Sequence, residues 1–338
     1  MSSPSEGILS PTISTDFTVH QQIGETLSAR LDRYTSSDVS DKTVHFLRTF
    51  FRCLSLDGKS NLVEDVDSCE TDEDLRKLWR HIDTGIMIPM LANGGKTPCV
   101  SPSPRLGYQS SFENIFAENF DPVTRSDQSA LRDACLARDN YQCVISKVYD
   151  PKNRPLNNTN YAPLQAAYII PFSMGTYRQD EEELEMCKVW MTLYRYFPEL
   201  RSRLNHHSSD VNSVENAMML LSPLHAEFGA FHFIFEKTNT VNKYRLKTFR
   251  GFSGAYTPYL PTTRVVNFTS HDPRYALPDV LLLGVHAAIG NFLNASGRGE
   301  QIEKMVRDMR SGGSGLASDG STDIELLLSA YNLRTPTW

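Results

Sequence analysis

Apolar residues recur at three-to-four spacing through several stretches of the chain and run in short blocks through others. Val44, Leu47, Phe51 and Leu54 keep the helical period across residues 43–56, which predicts a helix with one buried stripe. Thr71-Asp72-Glu73-Asp74 has the form of a capping box, and Leu75, Leu78, Trp79 and Ile82 continue the period behind it. Ser126 is a candidate N-cap for a helix through Arg138 that carries Leu131, Cys135 and Leu136. Residues 180–197 predict an amphipathic helix whose acidic opening suits the positive end of its dipole. A long, mostly apolar helix is expected over 278–295, ended by Gly297, with further helices over 300–310 and 323–333.

Shorter apolar blocks read as strands: 142–146, 164–170 closed by Pro171, 217–221 and 264–269. Residues 231–235 and 244–249 flank a polar turn and predict a hairpin, while Pro223 suits the first turn of a short helix through Phe228. The Ser/Pro-rich residues 1–15 are expected to be disordered, and 311–321 to be a flexible linker. The organisation expected is a helical N-terminal region over 16–91, a linker over 92–125, a mixed domain over 126–297, and C-terminal helices with a flexible linker over 298–338. The fold class is α+β: two strands and a helix embedded in a mainly helical chain. No internal repeat is visible.

Composition narrows the class. Of 338 residues, 40% are hydrophobic and 22% charged, as in ordinary globular proteins. No apolar run approaches the roughly 18 residues of a membrane span, and the polar first residues predict no export signal. Six well-separated cysteines without a C-x-x-C pair predict reduced thiols in an intracellular, cytoplasmic setting, and no cysteine-built zinc site. Residues 1–125 hold 18 Asp/Glu against 12 Lys/Arg, whereas 126–338 hold 22 of each. Neither half has the basic excess on which nucleic-acid affinity rests, so a nucleic-acid partner is not expected. Lys243, Arg245 and Lys247 alternate, and so share one strand face, open to solvent or to an anion.

Three segments in order carry candidate chemistry: LARDNYQCVIS (136–146), LQAAYIIPFS (164–173) and ENAMMLLSPLHAEFGAFHFIF (215–235). Arg138-Asp139…Cys143, the Ala-Ala-x-Ile-Ile-Pro strand, Asn216 and Leu224-His225…Phe228 keep the order and spacing of the fungal-type HNH endonuclease domain, which these segments resemble. With the helix over 277–293, the resemblance covers about residues 126–297. It implies two strands and a helix around one divalent metal. A His on the first strand would deprotonate water, an Asn would orient that His, and a His on the helix would help hold the metal. Asn216 takes the place of the Asn and His225 that of the helix His.

The general-base position falls on Tyr168. A phenol with a pKa of about 10 is protonated near neutral pH, and general-base catalysis is worth about 10²–10⁴-fold. Gly229 stands where the family commonly has an acidic residue. These departures predict a degenerate, metal-free scaffold without cofactor, repurposed to bind an apolar small molecule. Tyr168, His225, Asn216 and His232 are its candidate catalytic groups, and Phe172, Tyr177, Met218 and Phe228 its candidate lining. Such a pocket fits cofactor-free cyclisation or cycloaddition by preorganisation and carbonyl polarisation, a reaction of natural-product (secondary) metabolism. The alternatives are an active metal-dependent nuclease with an atypical base and a catalytically dead module binding nucleic acid or protein; a replacement metal site from His206, His207 and His225 is conceivable. The structural roles open to the same residues are core packing for Tyr168, a strand–loop bridge for Asn216 and a satisfied buried imidazole for His225.

Overall fold

A computed structural model describes residues 11–91, 99–105, 125–175, 180–202 and 211–310. The first helix, α1 (Pro11–Leu31), starts inside the segment expected to be disordered, so residues 11–15 are helical. It is followed by α2 (Thr43–Cys53), α3 (Leu56–Asp67) and α4 (Asp72–Ile82). The capping box at α4 forms: Thr71 Oγ1 accepts from the Asp74 amide, and the Asp74 carboxylate accepts from the Thr71 amide. A π-helical turn, Asp83–Met87, and a short turn, Ile88–Leu91, continue α4 into the interior. The sequence pattern does not reveal α3, because its apolar residues are few and Gly58 lies in its first turn. That glycine is there for contact: a Cβ would stand 2.3 Å from the Tyr196 carbonyl oxygen.

The mixed region begins with α5 (Arg125–Arg138). The first strand, β1 (Leu164–Tyr168), pairs antiparallel with β2 (Ala217–Leu221), Leu164 opposite Leu221 and Tyr168 opposite Ala217. Between them lies α6 (Asp180–Tyr196), and β2 runs directly into α7 (Ser222–Gly229) with Pro223 in its first turn. A second antiparallel sheet holds β3 (Phe233–Lys237), β4 (Lys243–Thr248) and β5 (Val265–Asn267) in that order. Two helices close the described chain, α8 (Val280–Ser296) and α9 (Arg298–Arg310), and Gly297 between them has φ 72°, the left-handed C-cap that glycine permits. The architecture is α+β with a helical N-terminal region.

One expected strand is absent. Residues 142–146 contribute a single bridge, Gln142 to Tyr149, and the chain reverses at once so that the Cys143 amide donates to the Val148 carbonyl at 2.9 Å. Asn140, Tyr141 and Lys147 all have positive φ (56°, 55° and 60°), which bends this block into a compact knuckle beside β2. Two elements expected near the C-terminus, the linker over 311–321 and the helix over 323–333, lie outside the described residues, as does 92–98 of the expected linker.

The N-terminal helices pack on the mixed region. Phe46, Phe50 and Trp79 meet Phe292 of α8 with ring centroids 5.5 to 6.4 Å apart. The Asp65 carboxylate accepts from Arg195 and from the Tyr196 hydroxyl, tying α3 to α6, and Asp83 pairs with Arg298 at 2.6 Å. Among the described residues no single helix is long and apolar enough to cross a membrane. The apolar length of α8 is spent inside the fold, with Leu282, Leu283, Ile289, Phe292 and Leu293 buried.

Candidate functional site

The antiparallel β1–β2 pair is held from its edges by two polar nodes. Arg138 is fully buried at the end of α5; it chelates Asp139 and donates to the carbonyls of Val214, Ala217 and Ala276. Asp139 in turn accepts from the Met219 amide at 2.9 Å. Asn216 is the second node. Its Oδ1 accepts from the Ile170 amide, and its Nδ2 donates to the carbonyls of Ile170 and Val211, all at 2.8 to 2.9 Å. Every polar atom of that amide is committed to backbone, so Asn216 positions the exit of β1 and touches no catalytic side chain.

Tyr168 ends β1. Its hydroxyl donates to Asn212 Oδ1 at 2.8 Å, and its ring lies 5.4 Å from that of Phe172. Burial, and behind it the neighbouring Cys135 thiol, raise the phenol pKa, with Gln128 of α5 offsetting part of the rise. The proton is therefore held more tightly than in water. A group at this position with this pKa can donate a hydrogen bond near neutral pH, but it cannot abstract a proton from water.

His225, on α7, is half-buried, and desolvation lowers its pKa, so it is a neutral imidazole near neutral pH. Among the described residues it makes no hydrogen bond, and none joins it to Tyr168. His232 lies elsewhere. Its Nδ1 is 2.9 Å from Glu227 and its Nε2 is 3.0 Å from Glu303 of α9, and these hydrogen bonds, Glu303 first, raise its pKa. Gly251 closes over the ring, where a Cβ would come within 2.5 Å of it. The sequence pattern singles out His232 but gives no sign of its carboxylate partners, which lie five residues before it and seventy-one after it.

The other expected lining residues part company. Phe172 stays beside Tyr168, on a short turn over Phe172–Gly175. Met218 is wholly buried within β2, opposite Ala167. Phe228 is also core: its ring stacks on His286 at 3.9 Å and meets Phe233 and Phe235. Tyr177, His206 and His207 lie outside the described residues. The basic face of β4 is partly neutralised, since Glu236 pairs with Arg245 at 2.7 Å and with Lys247 at 3.3 Å.

Residues 143–236 match the profile of a known family, HNH endonuclease. No curated protein and no solved structure matches the chain. The matched span contains Tyr168, Asn216, His225 and Gly229, and its β1–β2–α7 order is that of an HNH-like scaffold. The fold of that family implies a divalent ion held by the helix His. Among the described residues the donor set does not fit one: Gly229 offers no carboxylate, no hydrogen bond or ion pair joins His225 to an acidic side chain, and no three His, Cys, Asp or Glu side chains converge as ligands.

Proposed function

We propose that the HNH-like domain is a degenerate member of the fungal-type group that has lost metal-dependent hydrolysis and binds an apolar organic molecule at the Tyr168–Phe172 surface. The observation that carries this reading is the pair of facts at Tyr168: a phenol stands at the base position, and its environment strengthens its hold on the proton. A preorganised donor of that kind polarises a carbonyl, and an aromatic neighbour holds a carbon skeleton by area. Cofactor-free cyclisation follows from these two capacities if a bound carbonyl replaces Asn212 as the acceptor. The site is smaller than the sequence suggests, because Met218 and Phe228 belong to the core. The domain is taken to span residues 126–297, with the helices of 16–91 and the long helix from Pro278 as walls of the pocket, in an intracellular protein whose partner is a small molecule.

The deciding experiment is a plasmid-nicking assay with Mg²⁺, Mn²⁺ or Zn²⁺, alongside elemental analysis of protein purified without chelator. No metal and no nicking are expected. Stoichiometric metal, with nicking abolished by His225→Ala, would overturn the reading and make the chain an active nuclease with an unusual base.

A further inference from the structure

Away from the HNH-like domain, one face of α2 and the loop before it enclose a cleft of about 440 Å³ lined by Ser36, Asp41, Lys42, Val44, His45, Arg48, Thr49 and Arg52. His45, Arg48, Thr49 and Arg52 fall at i, i+3, i+4 and i+7, so a single helix face presents them together. Lys42 stands one residue before the helix. Three full positive charges and an imidazole thus converge in a region of sequence that is net acidic.

The charges are only partly cancelled locally. Asp41 is the cleft's sole carboxylate, and its oxygens are already occupied within the loop, where they accept from the Tyr34 hydroxyl, the Ser37 amide and the Thr43 amide. Burial pulls its pKa upward, but these bonds outweigh that and hold it well below the usual carboxylate range; its side chain is only 4% exposed. Arg48 shares one edge of its guanidinium with Asp32 and stays 38% exposed. Lys42 and Arg52 form no ion pair among the described residues. The walls are hydroxyls, cations, the His45 imidazole, the Asp41 carboxylate and one valine, and their polar surface exceeds the apolar, so a charged ligand gains more there than a hydrophobic one.

We propose that this cleft binds a compact, multiply phosphorylated small molecule. Guanidinium forks match phosphate oxygens in pairs, and Lys42 supplies a point charge at the rim. The volume exceeds a single orthophosphate, and three cations ask for more than one phosphate group. A long polyanion fits poorly, since Asp32 pairs with Arg48 at the cleft and residues 1–125 carry six more acidic than basic side chains. The site is independent of Tyr168 and stands whether or not the domain retains hydrolysis.

The test is calorimetric titration of the full chain with tripolyphosphate, orthophosphate and a 20-nucleotide single-stranded DNA, repeated on Lys42→Gln/Arg52→Gln. Both side chains are exposed and unpaired, so the variant keeps its fold, which circular dichroism checks. One tripolyphosphate per chain is expected, weakened at least tenfold in the variant, with orthophosphate binding more weakly than tripolyphosphate. Absence of tripolyphosphate binding, binding that the variant leaves unchanged, or tighter binding of the DNA than of tripolyphosphate would each overturn the proposal.

Discussion

The Tyr168 hydroxyl donates to Asn212 Oδ1 at 2.8 Å, four residues before the Asn216 that clasps the same strand end. The two asparagines divide the work. Asn216 fixes backbone and Asn212 takes the phenol proton's hydrogen bond, so both asparagines at the end of β1 are committed to structure.

Tyr168→Phe removes one half-buried hydrogen bond and no ring contact. The expected cost is about 0.5–1.5 kcal/mol, read by urea denaturation, together with loss of any carbonyl-directed turnover. Tyr168→His should leave plasmid DNA intact, because the donor set around His225 still lacks a carboxylate. The double change Tyr168→His/Gly229→Asp is the one with a route back to hydrolysis. Nicking by Tyr168→His alone would show that the metal site had been whole throughout.

The helices of this chain were legible where a stripe and a cap coincide, as at Thr71 to Ile82, and α3 was not, because Gly58 there answers to the Tyr196 carbonyl rather than to helix propensity. The paired strands β1 and β2 showed through their apolar blocks. The block at 142–146 misled, since backbone reversal at Asn140, Tyr141 and Lys147 leaves no mark on hydrophobicity. For the site, residue types could be placed on elements but not aimed. Met218 and His232 lie on strands or their edges, and only the packing of α5 and α7 on β2, and of α9 on His232, decides that one fills the core and the other meets Glu303. Asn212 carried no signal at all, being one polar residue among many in its segment.

Arg138→Met tests the node behind the β1–β2 pair. It would leave the Asp139 side chain, 2% exposed, without its guanidinium and the Ala217 and Ala276 carbonyls without that donor, while Val214 keeps the Ala217 amide. Breaking one side of a buried pair costs about 3–5 kcal/mol, enough to abolish much of a domain's stability. The measurement is the denaturation midpoint, or soluble yield where the variant does not fold. A loss under about 1 kcal/mol would mean that water reaches the pair.

Asn216→Ala should be comparable in direction and smaller in size. It strips an acceptor from the Ile170 amide and a donor from two carbonyls, each buried. An unsatisfied buried group costs about 1–3 kcal/mol. Asn216→Asp keeps the acceptor and loses the donors, so it should fall between wild type and alanine at pH values where the carboxyl is protonated, and below alanine where it is charged. The opposite order would mean that Asn216 acts on something other than backbone.

His232 makes the docking of α9 dependent on pH. Its pKa is raised in the fold by Glu303 and Glu227, so the protonated form is favoured there. The stabilisation is full below the unfolded value of about 6.5 and is lost as pH rises through the raised folded value. Protection of the amides of residues 298–304, corrected for the intrinsic rise of amide exchange with pH, should therefore fall on the alkaline side of neutrality and stay level just on the acid side. Glu303→Gln should move the midpoint of the His232 resonance, followed by NMR, to lower pH. An unshifted midpoint would place Glu303 out of reach of the ring in solution.

His286 sets the opposite sign. It is fully enclosed between the rings of Phe228 at 3.9 Å and Phe231 at 4.2 Å, its Nδ1 has no partner among the described residues, and burial, offset in part by the Phe228 backbone, lowers its pKa to about 3. The fold therefore keeps the imidazole neutral while the unfolded chain protonates it below about pH 6.5. Stability from this residue is complete above that value and is lost as pH falls toward 3, at about 1.4 kcal/mol per pH unit. His81, also buried with a lowered pKa, and the paired carboxylates add slopes of their own. The informative quantity is thus a difference: urea unfolding of wild type and His286→Leu across pH 6 to 4. The wild type should lose stability more steeply than the variant by the equivalent of one proton. Parallel slopes would mean that the folded chain admits a proton between the two phenylalanines, and that α8 opens there before the domain unfolds.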